Sequence, residues 1–189
     1  MRLLFLTVLL GCTAACIVEA PTSEGTQAQP AAAAPQPRRG PPAPPAQVNS
    51  GAIFGDKVEL QSVIINPSRG FPGEQVHVVA NFRVIAALDV DYMIFVHVED
   101  IDGKVDRINV DHAPGRGANP TTRWKVGEVV RDEFDIPIPP GMPVRGLSLV
   151  MGFWDPKTDA RLPLTNPDKV RNDGRSRVFV AQFPVGNGP

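Results

Sequence analysis

The chain has 189 residues, with 19 lysines and arginines against 20 aspartates and glutamates and a formal net charge of −1 at pH 7. This balance excludes a dedicated nucleic-acid-binding protein, because such a protein needs a basic surface to neutralise phosphates. Both cysteines lie within the first sixteen residues. The rest of the chain can therefore form no internal disulfide and must be stabilised by packing.

Residues 1–16, MRLLFLTVLLGCTAAC, combine a basic start, a short apolar run and a cysteine behind small residues. This order is typical of an export signal, and Leu9-Leu10-Gly11-Cys12 resembles the lipobox at which bacterial lipoproteins are cut before a diacylated cysteine. We predict lipid attachment at Cys12, with Cys16 as the alternative because it gives a more ordinary signal length. A secretory signal cut near Ala15 also stays open, whereas a spanning helix would need about 20 apolar residues.

The lipoprotein resemblance also implies a location. The residue after the lipidated cysteine would be Thr13 or Ile17, and neither is an aspartate. In bacteria that sort lipoproteins by this residue, the resemblance implies the outer membrane of the cell envelope. Apart from the covalent diacylglycerol or fatty acid, we expect no cofactor.

Residues 17–51 are rich in proline, alanine and glutamine and hold too little apolar bulk to fold alone. We predict a disordered tether in which proline favours extended, semi-rigid chain. The run Pro41-Pro42-Ala43-Pro44-Pro45 could instead be a ligand for a proline-recognising domain, and Arg38 and Arg39 could contact peptidoglycan. Composition favours the spacer.

Residues 52–185 are predicted to form one domain, followed by a disordered tail at 186–189. The hydrophobic period in this region is two, which is typical of strands with one face toward a core. Strands are expected at residues 58–65, 76–84, 92–99 and 129–138, with further alternation around residues 147–153 and 179–183. No stretch reads as a helix. We predict an all-β, antiparallel, immunoglobulin-like β-sandwich of about seven or eight strands.

Asp102-Gly103 is the strongest hairpin signal in the chain. A three-residue loop, residues 101–103, would place Val96 opposite Ile108 and Ile94 opposite Val110. A two-residue loop would place Val96 opposite Asn109, so we expect the longer loop because it pairs apolar with apolar residues.

A series of short motifs across residues 55–183 resembles a β-sandwich module known chiefly as the soluble tail of multi-spanning bacterial glycosyltransferases that act on lipid-linked sugars. The series is Phe95-Val96-His97-Val98, Asp102-Gly103-Lys104, Asp111, Pro120-Thr121-Thr122, Trp124, Gly127-Glu128-Val129-Val130, Asp132, Pro137, Gly152-Phe153, Asp155-Pro156 and Arg161-Leu162-Pro163. The resemblance implies the fold and an extracytoplasmic setting. It implies no catalytic role, because the membrane-embedded catalytic part of that family is missing here.

The candidate ligand-binding segment is residues 112–126, which is long for a sandwich connection and mixes aromatic with polar groups. Its candidate residues, with one tryptophan from a later strand, are Arg116, Asn119, Arg123, Trp124 and Trp154. The alternative for Trp124, which we favour, is a core residue that closes one end of the sandwich and donates its indole N–H to the backbone.

Three histidines and an aspartate supply atom types that bind zinc or copper: His77, His97, His112 and Asp111. If residues 76–84 and 91–99 paired, the first two histidines could face each other. No short metal-ligand spacing supports this, so we expect no metal site.

No nucleophile motif is present, and the carboxylates at residues 132, 133 and 135 are expected on the solvated face of a strand rather than in a glycosidase pair. We therefore expect a non-enzymatic, lipid-anchored envelope protein that presents its sandwich to a protein partner or serves envelope assembly. A glycan-binding module in surface polysaccharide handling is the first alternative, and a metal-binding or enzymatic periplasmic protein is the second.

Overall fold

The computed structural model describes residues 41–186, which form two antiparallel four-stranded sheets. The strands are β1 (Ala46–Phe54), β2 (Val58–Asn66), β3 (Gln75–Val84), β4 (Met93–Asp100), β5 (Ile108–Asn109), β6 (Val129–Pro137), β7 (Gly146–Trp154) and β8 (Val178–Pro184). The first sheet has the order β1-β2-β3-β6 and the second has the order β5-β4-β7-β8. The predicted antiparallel β-sandwich is confirmed. Helical structure in the described residues is confined to three short 3₁₀ helices, at Pro114–Gly117, Thr121–Arg123 and Pro167–Lys169.

The strand order is that of an immunoglobulin-like sandwich. Strands β2, β3 and β6 form one sheet, and β4, β7 and β8 form the other, as strands A, B, E and C, F, G do in that fold. Strand β5 adds to the edge of β4, and β1 adds to the edge of β2. The chain crosses between the sheets from β3 to β4, from β5 to β6, and from β6 to β7.

The core lies between the sheets and has an aromatic cluster at its centre. Alternate residues of β3 and β6 point inward and are buried, as the period of two predicts. The Phe82 ring lies 5.2 Å from Phe153 and 5.9 Å from Trp124, and Phe54 lies 5.5 Å from Phe153. These rings join both sheets to the segment before β6.

Strand β7 departs from the simple alternation because both of its faces are covered. Residues 146–153 are all buried. The core covers one face, and the connection from β7 to β8 contacts the other. Such two-sided burial gives a continuous apolar run rather than an alternating one.

The domain begins earlier than the sequence boundary at residue 52. Strand β1 starts at Ala46 and pairs with β2 from that residue, so residues 46–51 are part of the sheet rather than of the tether. The segment includes Gln47, Val48 and Asn49 and is too polar to be recognised as a strand from its sequence. An edge strand pairs on one side only and is commonly polar. At the other end, the Gly186 N–H donates to the Gly70 carbonyl at 2.8 Å, so this residue belongs to the domain and not to the predicted tail.

The predicted hairpin exists, but with a longer connection and a different register. His97 pairs with Asn109 and Val98 with Ile108, and the Val110 N–H donates to the Val96 carbonyl at 2.9 Å. Both sequence-derived registers are therefore wrong. The Asp100 carboxylate accepts from the backbone N–H groups of residues 102 and 104, which shapes a turn that the Asp-Gly signal alone does not reveal. Apolar side chains still lie opposite apolar side chains, because the observed register differs from the register of the three-residue loop by two residues. Two residues are one full repeat of the pleat, so each side chain keeps its face.

The residues that the structure describes contain no helix long and apolar enough to cross a bilayer. The predicted lipid-attachment cysteines, Cys12 and Cys16, and residues 17–40 of the predicted tether lie outside the described residues.

Phe82→Ala should lower the free energy of unfolding by about 3–5 kcal/mol, because it removes a ring that contacts the aromatic side chains of both Trp124 and Phe153. Val126→Ala, at a side chain 62% exposed, is the matched control and should change stability by less than about 0.5 kcal/mol. Urea unfolding followed by circular dichroism measures both. Similar losses in the two variants would contradict the placement of Phe82 at the centre of the core.

Candidate functional site

The segment at residues 112–126 is fixed to the domain through Thr121 and Trp124. The Thr121 hydroxyl donates to the Val90 carbonyl at 2.6 Å and accepts from the Tyr92 N–H at 2.9 Å. Trp124 is 4% exposed, and its indole N–H donates to the Asn119 carbonyl at 3.1 Å. Trp124 is thus a core residue that closes the sandwich, and a ligand cannot stack on it.

The other candidate ligand residues do not form one site. Arg116 has an 82% exposed side chain and lies 4.0 Å from Asp135, beyond the edge of the first sheet. Arg123 is exposed at the end of the second 3₁₀ helix, and Asn119 serves Trp124 through its carbonyl. Trp154 and Phe153 project from opposite faces of β7. Since Phe153 packs in the core, Trp154 lies on the outer side of the sandwich. The binding set proposed from the sequence is therefore divided.

The candidate metal ligands are also separated. His77 lies on the outer face of the first sheet, where it contacts Asp135 at 2.8 Å and Glu133 at 3.3 Å. His97 lies on the outer face of the second sheet, because β3 and β4 belong to different sheets and do not pair. His112 lies between the two sheets at their edge. Within residues 41–186, no group of three or more possible ligands comes together.

His112 and Asp132 form a buried pair that sequence reasoning missed. Asp132 was expected on a solvated face, but its side chain is 1% exposed and points inward from β6. One carboxylate oxygen accepts from His112 Nε2 at 2.7 Å, and the other accepts from the Gly115 N–H at 2.9 Å. Asp132 alternates along β6 with the apolar residues Val130 and Phe134, which face inward. This alternation was the sequence signal that could have revealed an inward-facing Asp132.

Both nitrogens of His112 face acceptors, which favours the protonated ring. Nδ1 lies 2.8 Å from the Val110 carbonyl, and Nε2 faces the carboxylate. Burial opposes a charge here, but the hydrogen bonds to Asp132 and Val110 and the nearby negative charge outweigh it. They raise the pKa of His112 above its usual value of 6.5.

A polar cleft of about 240 Å³ lies on the outer face of the second sheet. We call it the sheet-two cleft, and it is lined by Phe95, His97, Arg107, Asp111, Trp154, Asp159 and Arg161. These residues come from β4, from the segment between β4 and residue 112, and from the end of β7 with the connection that follows.

The floor of the sheet-two cleft depends on a glycine. Phe95 pairs with Gly152 across the sheet, and its ring lies against the position where a Cβ would stand. The Arg161 guanidinium lies over the other side of this ring, with Cζ 4.8 Å from the centroid. One of its nitrogens donates to the Arg175 carbonyl at 2.7 Å, so the guanidinium is held at two places.

His97 lies in the cleft beside arginines and is 4% exposed. Its Nδ1 is 3.4 Å from Arg107 Nη1 and 3.5 Å from Arg177 Nη1, so this nitrogen is the acceptor. Burial, followed by the positive charge of Arg107, lowers the pKa of His97, and Asp111, with a carboxylate oxygen 3.8 Å from Nε2, only partly opposes this. The ring is therefore neutral at pH 7.

The three arginines around His97 differ in how their charge is compensated. Arg177 is buried and pairs with Glu99 and Asp173, each at 2.6 Å. In the described part of the chain, Arg107 and Arg161 have no carboxylate within 4 Å. The cleft thus holds two guanidinium groups whose charge is not matched by an ion pair.

Trp154 adds an indole to the lining of this cleft. Its Nε1 is buried and, among residues 41–186, has no hydrogen-bond partner. Buried polar groups are rarely left unpaired, and an exception calls for an explanation. The sequence analysis named Trp154 as a candidate but associated it with the 112–126 segment rather than with Arg107 and Arg161.

No protein-family model matches this sequence, and no curated protein matches it. Among solved structures, it is similar to the crystal structure of a Niemann-Pick type C2 protein from Japanese carpenter ant, with 15% identity and a TM-score of 0.37 over 70% of this chain and 97% of that chain. A likeness at this TM-score carries no argument about ligand or partner.

The free energy of unfolding should fall as the pH rises above about 6.5, through the raised pKa of His112. The folded state binds this proton more tightly than the unfolded state, so the stabilisation is complete below the unfolded pKa and is lost above the folded one. His97 affects stability over a lower pH range, because its pKa is lowered in the folded state. Its contribution to the free energy of unfolding is complete above about pH 6.5 and is lost as the pH falls through the pKa of the folded state.

Chemical denaturation of the wild type and of His112→Gln across this range measures the effect. The wild type should lose stability with rising pH, and the variant should show a flatter profile above pH 6.5. Parallel profiles would contradict a stabilising charge on His112.

Gly152→Ala should lower stability by about 1–3 kcal/mol, because the new methyl group would overlap the Phe95 ring and lie 2.9 Å from the Ser176 carbonyl oxygen. Adding Phe95→Leu should recover part of the loss by making room for the methyl group. A double-mutant cycle by thermal denaturation measures the coupling. Strictly additive effects would mean that the two positions do not touch.

Proposed function

We propose that this protein is a lipid-anchored, non-catalytic binding protein of the bacterial cell envelope, located at the outer membrane. The observation that carries the binding role is the sheet-two cleft, in which Arg107 and Arg161 have no carboxylate partner among residues 41–186 and lie beside the neutral His97. Charged groups left without an ion pair next to a rigid sheet favour recognition of a ligand that supplies the missing charge.

The bonding of the closest histidine–carboxylate pair supports a non-catalytic role. In a general base, the reactive nitrogen of histidine must be free to accept a proton. In His112, both nitrogens already face acceptors, and Asp132 is buried beneath the ring. The pair acts as a structural link between the edges of the two sheets.

Two partner classes follow from the sequence analysis: an envelope protein and a glycan. Protein interfaces have aromatic and apolar centres, but the large hydrophobic side chains exposed in the described residues are Val126 and Val129. The sheet-two cleft instead combines guanidinium donors, carboxylate acceptors and an indole. This combination favours a glycan, and the envelope-protein partner is the second candidate.

The proposed anchor and spacer rest on the sequence of residues 1–45. Since β1 begins at Ala46, roughly thirty residues separate either cysteine from the folded domain. In an extended proline-rich conformation, with a rise of about 3.1 Å per residue, they would hold the domain tens of ångströms from the bilayer. This distance would let the cleft reach material beyond the lipid headgroups.

The anchor predicts that wild-type protein fractionates with membranes, carries palmitate label and has the intact mass of a lipidated chain. Cys12→Ser should remove the label, while Cys16→Ser, the matched control, should keep it. The reverse pattern would assign the lipid to Cys16 instead. If the double variant is still held in the membrane while the wild type shows no lipid mass, the lipid-anchored function is wrong.

A further inference from the structure

We propose that the sheet-two cleft binds an acidic saccharide, with Arg107 and Arg161 contacting a sugar carboxylate and the Trp154 indole lining the space that the sugar ring occupies. This inference deepens the proposed function, since it names the class of ligand that the presented domain would recognise. Four observations carry it: the state of the arginines, the indole of Trp154 in the lining, the acidic side chains at the rim and the size of the cleft.

Arg107 and Arg161 are already held in positions that suit the binding of an anion. Arg161 is held by the Phe95 ring below it and by one hydrogen bond to the Arg175 carbonyl, which leaves its other nitrogens available. Among residues 41–186, the Arg107 side chain makes one hydrogen bond, from Nη1 to Nδ1 of the neutral His97 at 3.4 Å. A guanidinium matches a carboxylate with two parallel hydrogen bonds, and holding it in place beforehand reduces the entropy lost on binding.

Arg177 shows that the two free arginines are not simply part of a charge-matched surface. It lies next to them, also within 3.5 Å of His97, and it is fully compensated by Glu99 and Asp173. The same cluster thus contains one structural arginine and two arginines that face the open cleft. Since His97 is neutral, it adds no further positive charge to theirs at pH 7.

The Trp154 indole contributes an aromatic surface to the cleft. Its Nε1 is buried and unpaired in the described residues, whereas the N–H of Trp124 is satisfied by the Asn119 carbonyl. An indole presents an apolar ring, which suits the apolar face of a sugar ring. A sugar seated in the cleft would lie beside this ring and change the environment of its N–H.

The acidic side chains at the rim of the cleft disfavour a ligand that carries only negatively charged groups. Asp111 and Asp159 line the same cleft, and their carboxylates would repel a second negative charge. They can, however, accept hydrogen bonds from neutral hydroxyl groups. A uronic acid residue carries one carboxylate for the arginines and several hydroxyls for the aspartates, whereas the side chains of an acidic peptide bring further carboxylates close to these aspartates.

The size of the cleft fits one sugar residue. Its volume of about 240 Å³ is below the range of roughly 300–1,000 Å³ that is typical of pockets for larger organic ligands. It is open to solvent, with Arg107, Asp159 and Arg161 all exposed. A single acidic residue of a longer polysaccharide could therefore enter while the rest of the chain continues outside.

The two tryptophans provide a direct test. The full mature chain, with Cys12→Ser and Cys16→Ser so that it carries no lipid, is labelled with ¹⁵N and titrated with D-glucuronate. The indole N–H signal of Trp154, assigned with Trp154→Phe, should shift and saturate, while that of the buried Trp124 should not move. D-glucose, which lacks the carboxylate, should produce no saturable shift at the same concentrations.

Variants then locate the site. Arg161→Gln and Arg107→Gln should each weaken glucuronate binding by about tenfold or more, because each removes a charged hydrogen-bonding partner. Arg123→Gln is the matched control: it removes one exposed arginine from the 112–126 segment and should leave binding unchanged. Unchanged melting temperatures in the arginine variants show that the loss is not due to unfolding. Since the Arg161 contacts also hold the connection after β7, Arg107→Gln keeps the test valid if Arg161→Gln is unstable.

Several outcomes would overturn the proposal. They are no saturable shift of Trp154 with glucuronate, equal affinity for glucose, or loss of binding in Arg123→Gln but not in the cleft variants. Tighter binding of glucose 6-phosphate would assign the site to a phosphorylated sugar, and equal binding of a tetraglutamate peptide would favour an acidic protein partner. None of these results bears on the lipid-anchor experiment, so failure of this inference and failure of the proposed function are distinguishable.

Discussion

The outer face of the second sheet depends on one buried charge cluster. Arg177, immediately before β8, pairs with Glu99 of β4 and with Asp173 of the same connection. Removing a guanidinium from water is costly unless its charge and donors are matched, and here two carboxylates do so. The cluster thereby ties the connection between β7 and β8 to the outer face of the sheet. That coverage explains why β7 is buried on both sides and why a cleft exists where a sandwich would ordinarily meet solvent.

The sheet-two cleft is a consequence of this second layer. Gly152 leaves room for the Phe95 ring to lie on the sheet, and the ring supports the Arg161 guanidinium. Each contact places the next side chain further from the core. Arg107 and Arg161 end at the outer limit of this layer and have no carboxylate partner in the described part of the chain, whereas Arg177, nearer the sheet, is paired. Burial thus separates arginines that stabilise the fold from arginines that are available to a ligand.

The surroundings of two histidines in the same domain shift their pKa values in opposite directions. His97 is buried among arginines, which lowers its pKa, and its Nδ1 accepts. His112 is also buried, but its nitrogens face the Asp132 carboxylate and a backbone carbonyl, which raises its pKa. Since desolvation opposes the charge in both, the neighbouring charges and hydrogen bonds decide the difference. One ring links the sheet edges, and the other lines the cleft.

The sequence by itself determined the fold class and most of the strands, because these depend on local signals: a hydrophobic period of two and turn residues. It favoured a structural role for Trp124, a large ring beside proline and glycine, but left ligand binding by this residue open. It did not reveal β1, whose polar edge pairs on one side only, or the hairpin register, which the side chain of Asp100 sets. Only the tertiary structure decided that Asp132 faces inward, that the three histidines are apart, and that Phe95, Arg107, Trp154 and Arg161 meet in one cleft. Their contacts join residues far apart in the chain, and such contacts depend on how the two sheets and the covering connection pack.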